Sequence, residues 1–113
     1  MCNYQTLYQG SNGYVIRCQH CRSLQLAFGT TVVNLSAAEF DCFAVMISRL
    51  ADEQPTSDHD HEKMICMPLP ADHVMMLLTP AEVYKLASMA SEVGALLEAY
   101  AILDNASSYS TED

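Results

Sequence analysis

The sequence predicts a single α+β domain in which an antiparallel sheet of about six strands carries two helices on one face. Three observations support this prediction. The chain has 113 residues, 50% of them hydrophobic and 17% charged, which fits one packed domain. Apolar segments separated by turn residues predict a series of β-hairpins. Two Ser/Thr-x-x-Glu sequences each precede a stretch with helical apolar spacing.

The first predicted hairpin lies in residues 1–22. The segment Gly10 to Gly13 separates two strand-like stretches, and its Asn12-Gly13 pair is expected to supply the positive φ angles of a tight turn. A second turn, Cys18-Gln19-His20-Cys21, follows. This hairpin is expected to extend the sheet formed by the rest of the chain.

Residues 23–51 predict a hairpin, turning at Gly29-Thr30, followed by a helix. Ser36 and Glu39 form a capping box, so the helix is expected to begin at Ala37. Apolar residues then recur three and four positions apart and are expected to face the sheet. These residues are Phe40, Phe43, Ile47 and Leu50.

Residues 64–104 predict a second unit of hairpin and helix. Pro68 must lie at a sheet edge or a bulge, because proline cannot donate to a β-ladder. Thr79 and Glu82 form a second capping box, and the helix after it is expected to end near Leu103.

Two segments are expected to lie outside the packed units. Residues 52–63 contain several acids, a proline and no large apolar side chain, which predicts a mobile acidic linker. Residues 105–113 are predicted to form a polar tail. Neither segment divides the chain, and residues 1–113 are predicted to form one domain.

The two hairpin-helix units resemble each other. Leu24–Leu50 aligns with Met67–Val93 without a gap, and turns coincide with turns and caps with caps. Duplication of one unit would explain the match. Convergence would also explain it, because strand-to-helix junctions generally favour a Ser/Thr cap with glutamate three residues later.

Composition restricts the classes of binding partner and the cellular compartment that are expected. Fourteen acids and five scattered bases give a formal net charge of −9, which argues against nucleic acid and anionic membranes as partners. The N-terminus lacks the features of a signal peptide, and the longest apolar run, Val74–Leu78, is too short to cross a bilayer. We therefore expect a cytoplasmic protein whose five cysteines are reduced unless they bind metal.

The Cys18-Gln19-His20-Cys21 turn is the motif with the most chemical potential. A C-x-x-C turn can direct two thiolates at one tetrahedral zinc ion, but this spacing supplies only half of a zinc site. Three interpretations stay open: an unliganded thiol pair, zinc binding and thiol-disulfide exchange. The third lacks the helix N-terminus that usually activates such a thiol. Further candidate zinc ligands are Cys2, His20, Cys66 and His73.

The other sulfur-containing residues are expected to be structural. Cys42 and Cys66 are predicted to be small packed side chains, and the methionines are predicted to fill the core. Met75 and Met76 must point to opposite faces of their strand. If both faces of that hairpin are apolar, one of them needs a partner.

The second helix carries a wide apolar surface. Met89, Leu96 and Leu103 lie off the centre of its main stripe. Because the chain is small, we expect this surface to be shared with another subunit, in a homodimer formed through the helix or the second hairpin. The main stripe consists of Val83, Leu86, Ala90, Val93, Leu97 and Tyr100.

The stretch from Tyr14 through Cys18-Gln19-His20-Cys21 to Gln25-Leu26-Ala27-Phe28-Gly29-Thr30 resembles a group of small bacterial proteins known as a domain of unknown function. The resemblance covers residues 1–50 and implies no activity or functional residue.

The predicted function is a non-catalytic interaction or scaffold domain acting as a homodimer. A zinc-binding domain using Cys18 and Cys21 is the alternative, and a thiol-disulfide oxidoreductase is the third possibility. The sequence contains no glycine-rich phosphate loop, nucleophile elbow or helical His-x-x-x-His motif.

Overall fold

The computed structural model describes residues 3–53, 65–70 and 75–110, with side chains described as far as Asp104. Within these ranges the elements follow the order of four strands, a helix, two strands and a helix. Their bounds are β1 Tyr4–Gly10, β2 Gly13–Cys18, β3 Leu24–Phe28, β4 Thr31–Leu35, α1 Ala37–Glu53, β5 Ile65–Pro68, β6 Met75–Leu78 and α2 Pro80–Ser110.

The α+β class is confirmed, but the single sheet of about six strands is wrong. Strands β1 to β4 form one antiparallel sheet in sequence order, whereas β5 and β6 form a separate two-stranded sheet. The short hairpin of β5 and β6 contributes to the core through its inward side chains without pairing to the larger sheet in the described part of the chain. Pro68 therefore lies on an edge strand, as predicted.

The four-stranded sheet has one face in the core and one in water. Residues such as Val15, Leu26 and Leu35 are buried on the core face. On the other face the Tyr14 hydroxyl donates to Gln25 Oε1 at 2.8 Å. This alternation confirms the predicted half-buried strands.

The first hairpin forms where it was predicted, but its turn is built differently. Gly10 pairs with Gly13 across a two-residue loop. Positive φ angles occur at Arg22 and Gly29 among the described residues, and not at Asn12 or Gly13, so that part of the prediction is wrong. Gly13 is required for space instead, since a Cβ atom there would overlap the backbone carbonyl oxygen of Ala27 on β3.

Both capping boxes are present. The Glu39 N–H donates to Ser36 Oγ at 3.1 Å, and the Ser36 N–H donates to the Glu39 carboxylate at 2.8 Å. The same pair of bonds joins Thr79 and Glu82, at 3.0 and 2.9 Å. Helices α1 and α2 therefore begin where the caps predict.

The helix ends differ from the prediction. Helix α1 continues to Glu53, two residues before Pro55, so residues 52 and 53 are helical and do not belong to a linker. Residues 54–63 of the predicted linker lie outside the described residues. Helix α2 continues to Ser110, because Asp104 and Asn105 are only weakly unfavourable in a helix and no glycine or proline follows to stop it.

One core joins the sheet, both helices and the second hairpin. Phe40, Phe43 and Ile47 of α1 are buried in it, as their spacing predicts. Met67 and Met76 are also buried, as expected of methionines that fill the core. Met75 points to the opposite face of the hairpin from Met76, as predicted, but it is exposed, so the prediction that the methionines fill the core is wrong for Met75.

The two hairpins differ in register. Leu26 pairs with Val33 in the first unit, and Met67 pairs with Met76 in the second. The gap-free alignment would instead place Leu69 opposite Met76. Relative to this alignment, β5 is shifted by two residues along β6, because the connection between β5 and β6 is longer than that between β3 and β4. A shift of two residues leaves each side chain on the same face of its strand. Duplication and convergence both remain consistent with this difference.

Candidate functional site

The Cys18-Gln19-His20-Cys21 turn connects β2 to β3. The Cys18 N–H donates to the Ser23 carbonyl at 2.9 Å, and the Arg22 N–H donates to the Cys18 carbonyl at 2.8 Å. The Cys21 N–H approaches Cys18 Sγ at 3.4 Å, within the range of an N–H···S hydrogen bond. Arg22 adopts a φ of 67°, a left-handed conformation that is uncommon outside glycine.

The predicted zinc ligands are only partly brought together. Cys18 is buried with 2% exposure, while His20 and Cys21 are exposed. In the described ranges, no three or more His, Cys, Asp or Glu side chains form a group that could hold a metal ion, so neither His20 nor Cys66 completes a site with the pair. Cys2 and His73 lie outside those ranges.

The turn also lacks the usual features of a redox-active C-x-x-C motif. Strands flank it on both sides, and the nearest following helix begins at Ala37. Among the described residues, no helix begins directly after the turn, as it does in the redox-active C-x-x-C motifs whose thiol is activated by a helix N-terminus.

The predictions of packed thiols at Cys42 and Cys66 are wrong, since both side chains are exposed. Cys42 lies on α1 away from the line through Phe40 and Phe43, and Cys66 alternates with the inward-facing Met67. Cys66 Sγ lies 3.3 Å from the Met75 sulfur across the hairpin. Cys66, Met75 and the exposed Leu77 together form an apolar outer face of the hairpin of β5 and β6.

Helix α2 divides into two halves of different surroundings. Its first half packs into the core through Val83, Leu86 and Val93. None of the side chains from Gly94 to Asp104, which we call the α2 tip, is buried. Ile102 and Leu103 are 61% and 62% exposed.

One side of the α2 tip contacts the rest of the molecule, since Leu96, Leu97 and Tyr100 are partly buried against the core. The guanidinium of Arg17 on β2 lies 5.5 Å from the centre of the Tyr100 ring, a cation–π contact. Arg17 Nη2 also donates to Gln5 Oε1 of β1 at 2.8 Å. Sequence reasoning missed this contact, although alternation from the buried Val15 places Arg17 on the core face of β2.

Length and composition alone would let α2 cross a membrane. From Pro80 to Asp104 it is the one helix in the described part of the chain that passes this test, which core helices of soluble proteins also pass. Counting uninterrupted apolar residues missed this segment, because Glu92 and Glu98 interrupt it. Its first half is part of the protein core.

Comparison with known proteins gives one positive result. No curated protein and no solved structure matches the chain. The model of a family described as "Family of unknown function (DUF6686)" matches residues 1–102, well beyond the residues 1–50 that suggested such a domain. The chain therefore belongs to the DUF6686 family of unknown function.

Proposed function

We propose that this protein is a non-catalytic interaction domain that acts as a homodimer, joined through the α2 tip. The observation that carries the proposal is the exposure of Ile102 and Leu103 on a helix that continues beyond the core. Exposed alanines at positions 95, 99 and 101 extend the apolar surface around them.

The length of α2 makes this surface hard to cover within one chain. Its 31 residues span about 46 Å at 1.5 Å per residue, so the helix runs along the longest dimension of a molecule that measures 59 × 29 × 26 Å. Helices in water gain most of their stability from packing an apolar face. The side of the α2 tip that carries Ile102 and Leu103 lacks such packing within the chain and is expected to gain stability from an external partner.

The charge distribution permits a second copy as that partner at the α2 tip. Two chains of net charge −9 repel each other over most of their surfaces. Residues 99–103 carry no charge, and Asp104 lies 3.9 Å from Arg22 of its own chain. Two α2 tips can therefore meet about a twofold axis through their uncharged segments 99–103.

Replacing Ile102 with glutamate tests this interface. Sedimentation or light scattering of the wild-type protein at high micromolar concentration should give twice the 12.5 kDa chain mass, and Ile102→Glu should give the chain mass. A buried carboxylate without a partner at the interface would strongly oppose association.

Val45→Glu is the matched control. Val45 is 55% exposed on α1, outside the α2 tip, and this variant should remain dimeric. A monomeric wild-type protein would contradict the proposal, as would an Ile102→Glu variant that is still dimeric. Flotation of the wild-type protein with neutral phospholipid vesicles would assign the same surface to a membrane instead.

A zinc-binding domain is the second candidate, and the geometry of the C-x-x-C turn favours it. The Cys21 N–H donates to Cys18 Sγ at 3.4 Å, which holds the two cysteines of the turn close together. Cys18 and Cys21 would supply two ligands of a tetrahedral site. The others would come from outside the described residues or from a second chain.

The zinc content of anaerobically purified protein, measured by elemental analysis, tests this second candidate. If zinc is bound, Cys18→Ser and Cys21→Ser should each abolish stoichiometric zinc, while Cys42→Ser, which changes an exposed thiol on α1, should retain it. Absence of zinc from the wild-type protein would exclude the proposal.

A further inference from the structure

We propose that the cleft between the end of the four-stranded sheet and the two helices binds a small zwitterion with an apolar side chain, of the free amino acid class. This proposal concerns a surface other than the exposed apolar side of the α2 tip. It therefore stands or falls independently of the proposed homodimer.

The cleft is large enough for a small molecule. Its volume is about 510 Å³, within the range of small-molecule sites. Leu24 from β3, Ala37 from α1 and Gly94 and Leu97 from α2 line it with apolar surface. A smaller cavity of about 230 Å³ shares Arg17 and Arg22 with it and reaches Tyr100.

The charges in the cleft are balanced and come from different sides. Arg17 and Arg22 belong to the end of β2 and the turn after it, whereas Asp41 belongs to α1 and Glu98 to α2. A simple anion would meet two carboxylates, and a simple cation would meet two guanidinium groups. A molecule carrying one carboxylate and one ammonium group can satisfy both sets.

Arg17 is the better-positioned carboxylate ligand of the two arginines. Its guanidinium is fixed by Gln5 on one side and by the Tyr100 ring on another. Its Nε is buried and has no hydrogen-bond partner among the described atoms. Burying such a donor without a partner is unfavourable, and a ligand carboxylate that accepts from it would remove this cost. Arg22 is less enclosed, since its side chain is 60% exposed and lies 3.9 Å from Asp104.

Gly94 leaves space for the apolar part of the ligand. Glycine in the middle of a helix is unfavourable relative to alanine. A Cβ atom at Gly94 would meet no atom within 4 Å, so packing within this chain does not require glycine. The bare backbone instead widens the cleft between Leu24 and Leu97.

Titration with L-phenylalanine, followed by amide chemical shifts of the full-length protein, tests the proposal. Saturable shifts are expected at the cleft, including Arg17 and Gly94. N-acetyl-L-phenylalanine lacks the ammonium group and L-phenylalaninamide lacks the carboxylate. Each is expected to bind about tenfold more weakly or worse, because one charge-assisted contact is lost.

Three variants separate the cleft from unspecific binding. Gly94→Leu keeps a good helix former but fills the cleft, and should abolish the shifts. Gly94→Ala should retain binding, and Arg49→Gln, at an arginine that does not line the cleft, should bind like wild type. Ile102→Glu should also bind, whatever its oligomeric state.

Several results would overturn the proposal. Absence of saturable shifts with both L-phenylalanine and L-leucine would do so. Equal binding of the two blocked derivatives would show that the charges do not select a zwitterion. Unchanged binding by Gly94→Leu would place the ligand elsewhere.

Discussion

Replacing Phe43 with alanine is expected to lower the free energy of unfolding by about 4 kcal/mol. Phe43 is fully buried, and its ring lies 6.2 Å from that of Phe40 in a tilted arrangement. Removing it loses apolar burial and the aromatic contact, and leaves a cavity where α1 meets the core. The loss is a large part of the roughly 5–15 kcal/mol typical of a domain.

Urea denaturation at one fixed protein concentration measures this effect, since dimer formation would make stability depend on concentration. Val45→Ala is the matched control on the same helix. Val45 is 55% exposed, so its truncation should change the free energy of unfolding by less than about 0.5 kcal/mol. Similar losses for the two variants would contradict the position of Phe43 in the core.

Gly13→Ala is expected to destabilise the protein by about 3 kcal/mol. The added Cβ would overlap the carbonyl oxygen of Ala27, and this neighbour is backbone on β3, which cannot rotate away as a side chain could. The two strands must separate, and the hydrogen bonds between β2 and β3 weaken.

Gly94→Ala provides a control with the opposite expected sign. The same change in a helix with open space around it should stabilise the protein by about 0.5–1 kcal/mol. Thermal unfolding followed by circular dichroism would order the proteins as Gly94→Ala, wild type and Gly13→Ala, from highest to lowest midpoint. A Gly13→Ala variant as stable as wild type would show that the Ala27 carbonyl oxygen leaves room for a Cβ atom at position 13.

Local signals made most of the elements predictable. Capping boxes at Ser36 and Thr79 fixed where both helices begin, because each donor and acceptor in a box has a defined partner. The separation into two sheets was not predictable in this way. Pairing between distant strands depends on how the whole core assembles, and the pattern within β5 and β6 is the same in either arrangement.

The candidate sites were less predictable than the fold. The spacing of Cys18 and Cys21 marked a turn with metal-binding chemistry, but spacing alone could not supply further ligands. Arg17 and Arg22 gave no motif, and their common cleft with Asp41 exists only because α1 and α2 close over the end of the sheet. Three-dimensional proximity of residues that are distant in the chain leaves no local pattern.

The order of the strands also bears on how the chain folds. Every strand of the larger sheet pairs with its neighbour in sequence, and two of the three connections are two-residue turns. Closing such short loops loses little chain entropy, so the sheet can assemble from local encounters. The contact of Arg17 with Tyr100 joins opposite ends of the chain, and it carries the larger entropic cost of loop closure. The last helix thus packs against a sheet that can form from local contacts.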